Sequence, residues 1–207
     1  MLRSQFLCKY VKDKTVLDIG FLGNRKINGD YSWIFGWLQK VSKEVYGIDI
    51  DKNKIEELRK KGYNVYYDDA NNLNEILKLN KKFDVIFLGD VICYVHNLLN
   101  LFLKLDKILK KNGYLIITLH NPVSLWTIYY NLFKGKEMML DTVGTYTPSD
   151  IKNLISTIFG NKYTIKKTKF FINDENFNEI SFFSKIIFKI YPRLRPNFGI
   201  VFQKKWR

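Results

Sequence analysis

Acidic residues and glycines recur in this chain directly after short apolar runs, each of which is predicted to be a strand. Open α/β sheets bind ligands outside the carboxyl ends of their strands, so these points are candidates for a binding site. Glycines there let the backbone turn tightly and come close to a ligand. Acids there can accept hydrogen bonds from ribose hydroxyls or from an amino group. The segments are Asp18-Ile19-Gly20-Phe21-Leu22-Gly23, Gly47-Ile48-Asp49, Asp68-Asp69-Ala70 and Gly89-Asp90.

The elements that must position these residues follow an alternating pattern. Short β-branched runs alternate with longer stretches of helical periodicity, which is typical of βαβ units and a parallel sheet. Strands are predicted over residues 15–19, 45–50, 64–67, 83–88, 114–119, 163–171 and 198–204. Helices are predicted over residues 31–43, 52–61, 71–79, 98–111, 147–159 and 180–191. The helix over 98–111 is expected to end at Asn112-Gly113, because cations and a glycine suit a helix C-terminus.

Five stretches of the chain resemble motifs of the class I S-adenosylmethionine-dependent methyltransferases. Residues 16–20 (VLDIG) resemble the family's first motif, residues 47–49 (GID) its second and residues 69–70 (DA) its third. Residues 83–86 (FDVI) resemble the fourth motif and residues 109–119 (LKKNGYLIITL) the fifth. Each motif is weak alone. The five together occur in order and fall on successive strand ends.

The resemblance implies a fold and a cofactor. The fold is α/β: one Rossmann-like domain over residues 1–207, whose seven-stranded, mostly parallel sheet has the order 3-2-1-4-5-7-6, with strand 7 antiparallel and helices on both sides. The cofactor is S-adenosyl-L-methionine, and the product S-adenosyl-L-homocysteine. A dinucleotide-binding dehydrogenase would instead need G-x-G-x-x-G and an acid about 20 residues further on. This chain offers only Gly20 and Gly23, and Asp49 lies further along.

The resemblance also implies roles for the residues at the strand ends. Asp18, Gly20 and Gly23 would surround the methionine part of the cofactor. Asp49 would hold the ribose, and Asp69, helped by the backbone of the next residue, would hold the adenine. The predicted cofactor site is Asp18, Gly20, Phe21, Gly23, Asp49, Ile50, Asp69, Ala70, Gly89 and Asp90. Two neighbouring acids are interpreted structurally, Asp51 as a helix cap and Asp68 as a solvated side chain.

Fewer residues of the sequence point to the site of the methyl acceptor. A hydroxyl acceptor needs a base within reach, and the candidates are Asp90, His96 and His120. Substrate contacts are predicted for Tyr94, Trp126, Tyr130 and Tyr146. The aromatic segment over residues 124–146 is expected either to cover the active site as a lid or to form a small core.

The amino-acid composition indicates which kinds of binding partner and which cellular compartment to expect. A net charge of +14 over 207 residues favours acidic partners such as nucleic acid, anionic lipid or a phosphorylated substrate. Residues 172–197 are predicted to be an insertion between the last two strands. Within it, the basic amphipathic helix over 180–191 either packs its apolar face on the sheet, lies at an anionic membrane surface or docks nucleic acid. The two cysteines form no CxxC pair and no run is long enough for a signal peptide or a membrane span, so a cytoplasmic protein without a metal site is expected.

Three functions stay open from the sequence. A methyltransferase acting at an oxygen of a sugar, lipid-linked or other small-molecule acceptor is favoured by the resemblance along the chain. An RNA or DNA methyltransferase is favoured by charge, although no Asn-Pro-Pro-Tyr or Asp-Pro-Pro-Tyr follows strand four, which argues against the amino groups of bases. A non-catalytic binding module is motivated by Phe21-Leu22, which stand where the family's first glycine turn has small residues.

Overall fold

All seven strands pair into one sheet with the order β3-β2-β1-β4-β5-β7-β6. The computed structural model describes residues 1–23, 33–134, 142–173 and 181–205. The parallel pairs are β1 with β2 and β4, β2 with β3, and β4 with β5, whereas β7 is antiparallel to both β5 and β6. The predicted α/β class, the strand order and the direction of β7 are therefore confirmed. The strands are β1 (Thr15–Ile19), β2 (Glu44–Asp49), β3 (Val65–Tyr67), β4 (Phe83–Gly89), β5 (Leu109–His120), β6 (Tyr163–Phe171) and β7 (Asn197–Lys204).

Helices cover both faces of the sheet. One apolar layer joins the sheet to α1, α2 and α3, and the other joins it to α4, α5 and α7. All five residues of β1 are buried, because Val16 faces the first layer while Leu17 and Ile19 face the second. In the described part of the chain the helices are α1 (Arg3–Val11), α2 (Trp33–Val41), α3 (Lys52–Lys60), α4 (Asn74–Lys78), α5 (Leu98–Ile108), α6 (Leu125–Tyr129), α7 (Pro148–Phe159) and α8 (Phe182–Ile190). None of these helices is long and apolar enough to cross a membrane.

The direction of chain progress across the sheet reverses beside β1. The chain runs outward from β1 through β2 to β3, and then returns to place β4 on the other side of β1. Such a reversal opens a crevice at the carboxyl ends of the two central strands, because their connections leave toward opposite faces. The strand ends that carry the acidic and glycine motifs therefore meet at this crevice.

The helix predicted over 98–111 is wrong at its C-terminus. α5 ends at Ile108 and β5 begins at Leu109, which is the partner of Phe83 in the sheet. The register then shifts, so that the next pair on this strand joins Val85 to Tyr114. Pairing with β4 therefore outweighs the favourable dipole of a longer helix, and the predicted helix cap at Asn112 falls within the strand.

The structure also differs from the sequence-based predictions at two helices, α8 and α1. α8 forms as predicted, but it buries Ser184 and Phe188, so the apolar face of the helix does not pack on the sheet and remains exposed. α1 was not predicted at all, although Phe6, Leu7, Tyr10 and Val11 have helical spacing and are buried. The predicted start of α7 is confirmed, since the Thr147 side chain accepts from the backbone N–H of Asp150.

A charged cluster at Asp106 predicts a pH dependence of stability. Lys162 Nζ and the Tyr163 hydroxyl donate to this carboxylate at 2.5 and 2.9 Å, and Lys204 Nζ lies 3.2 Å away. Burial raises the pKa of Asp106, but these donors outweigh burial and hold it below its ordinary value. The stabilisation is thus complete above the unfolded pKa of about 3.9 and is lost as the pH falls through the folded pKa.

We expect Asp106→Asn to lower the free energy of unfolding by about 2 kcal/mol at neutral pH, and by progressively less in acid. Urea unfolding of both proteins across the acidic range measures this difference. A difference that stays constant with pH would show that the carboxylate charge is not the cause. Glu57→Gln is the matched control, because its ion pair with Lys61 is half-exposed and contributes little.

Candidate active site

A cleft of about 480 Å³ opens at the carboxyl ends of β1, β2 and β4. All ten residues of the predicted cofactor site line it, and so do Tyr94 and His120 from the acceptor side. His96, Trp126, Tyr130 and Tyr146 do not line this cleft. The cleft also includes residues that sequence reasoning did not single out, chief among them Arg3, Asn71 and Asn173.

The turn after β1 depends on a glycine at its first position. Gly20 has a φ of +70°, and a Cβ there would lie 2.3 Å from Val91 Cγ2. Phe21 and Leu22, the departure from the family's small residues, line the cleft but are buried in the first apolar layer. The Phe21 ring packs on Phe35 with ring centroids 4.2 Å apart. The core thus absorbs the large side chains of this turn, and the backbone remains at the wall of the cleft.

Asp49 connects the ends of β1 and β2. Its Oδ2 accepts from the backbone N–H of Leu22 at 3.0 Å, and its Oδ1 accepts from the N–H groups of Ile50 and Asp51 at 2.8 and 3.2 Å. Burial raises the pKa of Asp49, and the three backbone donors partly offset this shift. The carboxylate is therefore held in a fixed orientation at the edge of the cleft, with the exposed side chain of Ile50 beside it.

Three acids near the ends of β2 and β3 differ in their hydrogen-bond partners: Asp51, Asp68 and Asp69. Asp51 caps α3 by accepting from the N–H of Lys54, as predicted. Asp68 is not solvated: it is buried and accepts from three backbone N–H groups, including those of Asn74 and Ile76 at 2.9 Å. Desolvation raises its pKa, and these donors oppose the shift. Asp69 uses Oδ1 for the backbone and side-chain N–H groups of Asn71, and among the described residues its Oδ2 has no partner.

α1 brings a cation to the centre of the cleft. Arg3 is buried, and its Nη1 donates to Asp90 Oδ2 at 3.3 Å. Asp18 is buried in β1; its burial raises the pKa well above the ordinary value, and the charge of Arg3 opposes this. Sequence reasoning missed Arg3 because α1 was not predicted, and the helical spacing of its apolar residues was the signal that could have revealed it.

Asp90 follows β4 in an uncommon backbone conformation. Its φ is +59°, and its backbone N–H donates to the carbonyl of Thr118 at 2.8 Å. One side-chain oxygen is held by Arg3, while the other, Oδ1, is buried without a hydrogen-bond partner among the described residues. Residues in sparsely populated backbone regions and unpaired buried acceptors both concentrate at functional sites.

The remaining acceptor-side residues divide into two groups. His120 ends β5 and lines the cleft, whereas His96 is exposed outside it and its backbone N–H donates to Asn71 Oδ1. Trp126 packs against a small cluster with Ile172 and Phe188, and Tyr146 packs against the main core. Tyr130 stacks edge-on with Tyr129. Part of the predicted lid, residues 135–141, lies outside the described residues.

Cys93 lies beneath the cleft and is expected to be chemically inert. Its thiol donates to the carbonyl of Asp90 at 3.1 Å, and burial raises its pKa to about 12, with the charge of Asp90 acting in the same direction. We expect iodoacetamide at about pH 8 to alkylate the exposed Cys8 but not Cys93 in the folded protein. Peptide mass spectrometry, with urea-unfolded protein as the control for full labelling, measures this. Rapid alkylation of native Cys93 would contradict the burial.

Among the described residues there is no group of three or more His, Cys, Asp or Glu that could hold a metal.

The family model for the methyltransferase domain matches residues 5–157. The chain belongs to this methyltransferase family. It is accordingly an S-adenosylmethionine-dependent methyltransferase, as the five motifs predicted. No curated protein sequence matches the chain significantly.

Solved structures resemble this methyltransferase in fold. A SAM-dependent methyltransferase from Archaeoglobus fulgidus is 20% identical, with a TM-score of 0.63 over 98% of this chain and 91% of that one. One from Aquifex aeolicus is 16% identical, with a TM-score of 0.61 over 98% and 90%. An rRNA methylase from Streptococcus thermophilus is 14% identical, with a TM-score of 0.51 over 98% and 93%. At these identities the likeness concerns the fold alone.

Proposed function

We propose that this methyltransferase acts on a hydroxyl oxygen of a small-molecule acceptor, such as a sugar or a lipid-linked metabolite. The proposal depends on the environment of the Asp90 side chain. Its unpaired, buried Oδ1 lies at the end of β4, in a conformation that the surrounding hydrogen bonds must hold. A buried carboxylate oxygen without a donor is costly, so a hydroxyl or ammonium hydrogen from a bound molecule is the natural partner.

The charges of the cleft fit a cationic cofactor. Among the described residues that line the cleft are five aspartates and one arginine, Arg3. The protein as a whole carries a charge of +14, so this cleft is an acidic site in a basic molecule. S-adenosylmethionine brings a positively charged sulfur and an ammonium group, whereas a nucleotide with several phosphates would be repelled. The site's electrostatics therefore support the family's cofactor.

We place the cofactor with its ribose at Asp49 and its adenine at Asp69 and the backbone of Ala70. The lone pairs that Asp49 does not use for backbone donors would accept from the ribose hydroxyls, and Asp69 Oδ2 from the adenine amino group. Ile50 would cover one face of the adenine. Asp18, with the turn at Gly20, Phe21 and Gly23, would surround the methionine part, and Gly89 and Asp90 would lie beside the sulfur.

The bound cofactor supplies an electrophilic methyl group on a sulfonium. The protein's task is to hold the acceptor oxygen in line with that methyl group, and positioning of this kind can supply most of the acceleration. Transfer would form the new C–O bond, break the C–S bond to release S-adenosylhomocysteine, and pass the proton of the acceptor hydroxyl to a base. We assign orientation of the hydroxyl to Asp90 and proton acceptance to His120, because both line the cleft. His96 receives no role, since it does not line the cleft.

On the acceptor side, we also propose that the aromatic part of the segment over 124–146 covers the cleft. Trp126 is anchored in the small cluster with Phe188, which gives the segment a fixed base on the side of the insertion over 172–197. Tyr94 is half-exposed at the cleft wall and would contact the acceptor. Tyr130 and Tyr146 would reach the acceptor only through movement of this segment.

Methyl transfer from radiolabelled S-adenosylmethionine to fractionated metabolite and lipid extracts tests the proposal. We expect Asp90→Asn and His120→Gln each to lower kcat by about 100-fold, and His120→Gln to leave the Kd of the cofactor nearly unchanged. Glu57→Gln, which alters an exposed charge far from the strand ends, should leave kcat unchanged. Loss of cofactor binding in His120→Gln, or full activity in both variants, would overturn the assigned roles. Label recovered on nitrogen would overturn the oxygen acceptor.

A nucleic-acid acceptor is the second candidate, and the basic β6 strand favours it. Lys166, Lys167 and Lys169 follow one another along this edge strand. Salt-dependent binding of RNA or DNA is expected of any basic protein and decides nothing. Methylation at one defined nucleotide would establish this function. The five cleft aspartates argue against it, because they would repel a phosphate backbone that approached the methyl group.

Cytoplasmic localisation remains part of this proposal. Both cysteines are free thiols, with Cys8 exposed and Cys93 buried. Free thiols are typical of a reducing compartment. Fractionation of cells that produce the tagged protein tests this, and recovery of the protein in an oxidising compartment would overturn it.

A further inference from the structure

α8 exposes its apolar side chains rather than burying them. Phe182, Phe183 and Ile190 are 81%, 71% and 62% exposed, and Ile186 is also exposed. The buried side is the narrow one formed by Ser184 and Phe188. At about 100° per residue, the four exposed apolar residues fall within about 100° of helix surface. The helix therefore presents an apolar stripe to its surroundings.

A second element, which packs on the same cluster as α8, also exposes apolar side chains. α6 and the turn of π-helix that follows it (Tyr130–Lys134) expose Leu132 and Phe133 at 71% and 73%. The two elements are joined, because Phe188 of α8 and Trp126 of α6 pack in the same small cluster. We call the exposed side chains of both elements the α6–α8 surface. It consists of Ile128, Tyr129, Leu132, Phe133, Phe182, Phe183, Ile186 and Ile190.

The described segments that form this surface carry charges of one sign. Residues 121–134 and 181–205 include no aspartate or glutamate. Lys185 and Lys189 lie on α8 between its buried side and its apolar stripe. Lys134 ends the π-helical turn, and Arg193 follows α8 in sequence. A short apolar stripe with flanking cations is the pattern of a helix that lies in the interface of an anionic bilayer. Nucleic acid would use the cations but would leave the phenylalanines in water.

The α6–α8 surface adjoins the acceptor side of the cleft. Ile172 belongs to the cluster beneath the surface, and the next residue, Asn173, lines the cleft. Asn121 follows the cleft residue His120, and its side-chain amide donates to the carbonyls of Arg193 and Arg195, just after α8, at 2.7 and 2.8 Å. A molecule bound at this surface would therefore lie next to the wall through which an acceptor enters.

We propose that the α6–α8 surface binds the surface of a bilayer that contains anionic phospholipid. The phenylalanines, isoleucines and leucine enter the boundary between headgroups and acyl chains, and the lysines and arginine contact the lipid phosphates. This binding does not depend on the identity of the acceptor. Where the acceptor is lipid-linked, it brings the cleft to the substrate, and that part alone rests on the function proposed above.

Flotation of the full-length protein with lipid vesicles tests this surface. The vesicles are phosphatidylcholine alone, or phosphatidylcholine with about one third phosphatidylglycerol. We expect binding to the anionic vesicles only. The double variant Phe182→Ser/Phe183→Ser should bind about tenfold more weakly or worse, and Lys185→Gln/Lys189→Gln should bind several-fold more weakly. Leu99→Ser/Leu103→Ser is the matched control, because it removes two exposed apolar residues one turn apart on α5.

Each outcome decides the matter. Loss of binding in the phenylalanine variant but not in the leucine control supports the surface. No binding of the unaltered protein to anionic vesicles overturns it, and so does binding that the phenylalanine variant retains, since charge alone would then explain it. A dimer in sedimentation that the phenylalanine variant abolishes overturns it in favour of a second copy of the chain. Cofactor affinity, measured by calorimetry in the same variants, should be unchanged, so failure here is distinct from failure of the methyltransferase site.

Discussion

Asp49→Ala is expected to weaken the binding of S-adenosylmethionine and S-adenosylhomocysteine by about a hundredfold, whereas Asp51→Ala leaves it unchanged. Asp49 is assigned to the two ribose hydroxyls, and hydrogen bonds to a charged acceptor contribute about 1.5 kcal/mol or more each. Two such bonds amount to about 3 kcal/mol, which corresponds to about a factor of 100 in Kd. Isothermal titration calorimetry with both ligands measures the change directly.

The same carboxylate also holds the turn after β1, so the substitution has a structural cost. The backbone N–H of Leu22 loses its acceptor, as do those of Ile50 and Asp51. We expect a loss of about 2 kcal/mol in the free energy of unfolding, which circular dichroism and urea unfolding will show. Asp49→Asn keeps the shape and one acceptor oxygen, and it should bind the cofactor with intermediate affinity.

The control at Asp51 separates the two effects. This residue caps α3 through the N–H of Lys54, so its removal should cost about 1 kcal/mol of stability without affecting the cofactor. If folded Asp49→Ala bound the cofactor with unaltered affinity, the ribose would not be held at β2. If neither the unaltered protein nor any variant bound it, the glycine turn would be incompatible with the cofactor and the chain would be a non-catalytic member of its family.

Gly20→Ala is expected to be the most destabilising single-methyl change in the cleft, at about 2–5 kcal/mol. Two costs add. The positive φ of +70° is unfavourable for any residue with a Cβ, and the new methyl group would lie 2.3 Å from Val91 Cγ2. Because both residues line the cleft, the shift that relieves this contact should also weaken cofactor binding. Urea unfolding and calorimetry measure the two consequences.

Gly23 provides a matched control in the same turn. Its φ is +62°, but in the described part of the chain a Cβ there would meet nothing within 4 Å. Gly23→Ala should therefore cost only about 1–2 kcal/mol, from the backbone conformation alone. The double variant Gly20→Ala/Val91→Ala should recover the steric part of the loss. Equal losses at the two glycines, or no recovery in the double variant, would show that contact with Val91 is not the cause.

Asp49 and Gly20 both line the cleft at the carboxyl ends of strands. The acids and glycines at the strand ends line one crevice only because the strand order reverses beside β1, which brings the ends of β1, β2 and β4 together. The described lining of the cleft is acidic, whereas the whole chain carries a net charge of +14. The cationic cofactor and the proposed anionic bilayer would therefore bind at different places.

The sequence by itself determined the strands, most of the helices and the positions of the cofactor motifs. Those features depend on short-range patterns: a β-branched run ended by an acid or glycine is a strand end wherever the chain goes, as Ile19-Gly20 and Ile48-Asp49 show. The α7 start at Thr147-Pro148 is equally local. The strand order came from the resemblance to a family, and the structure confirmed it.

Only the tertiary structure decided which groups meet from distant parts of the chain. Arg3 reaches Asp90 across 87 positions, which no local pattern encodes. Asp68 is buried because the start of α4 folds over it and supplies backbone donors. α5 gives way to β5 at Leu109 because β4 offers paired hydrogen bonds there. The sequence identified the apolar stripe of α8, but which side of that helix packs depends on what lies beneath it, and burial is a property of neighbours rather than of the helix itself.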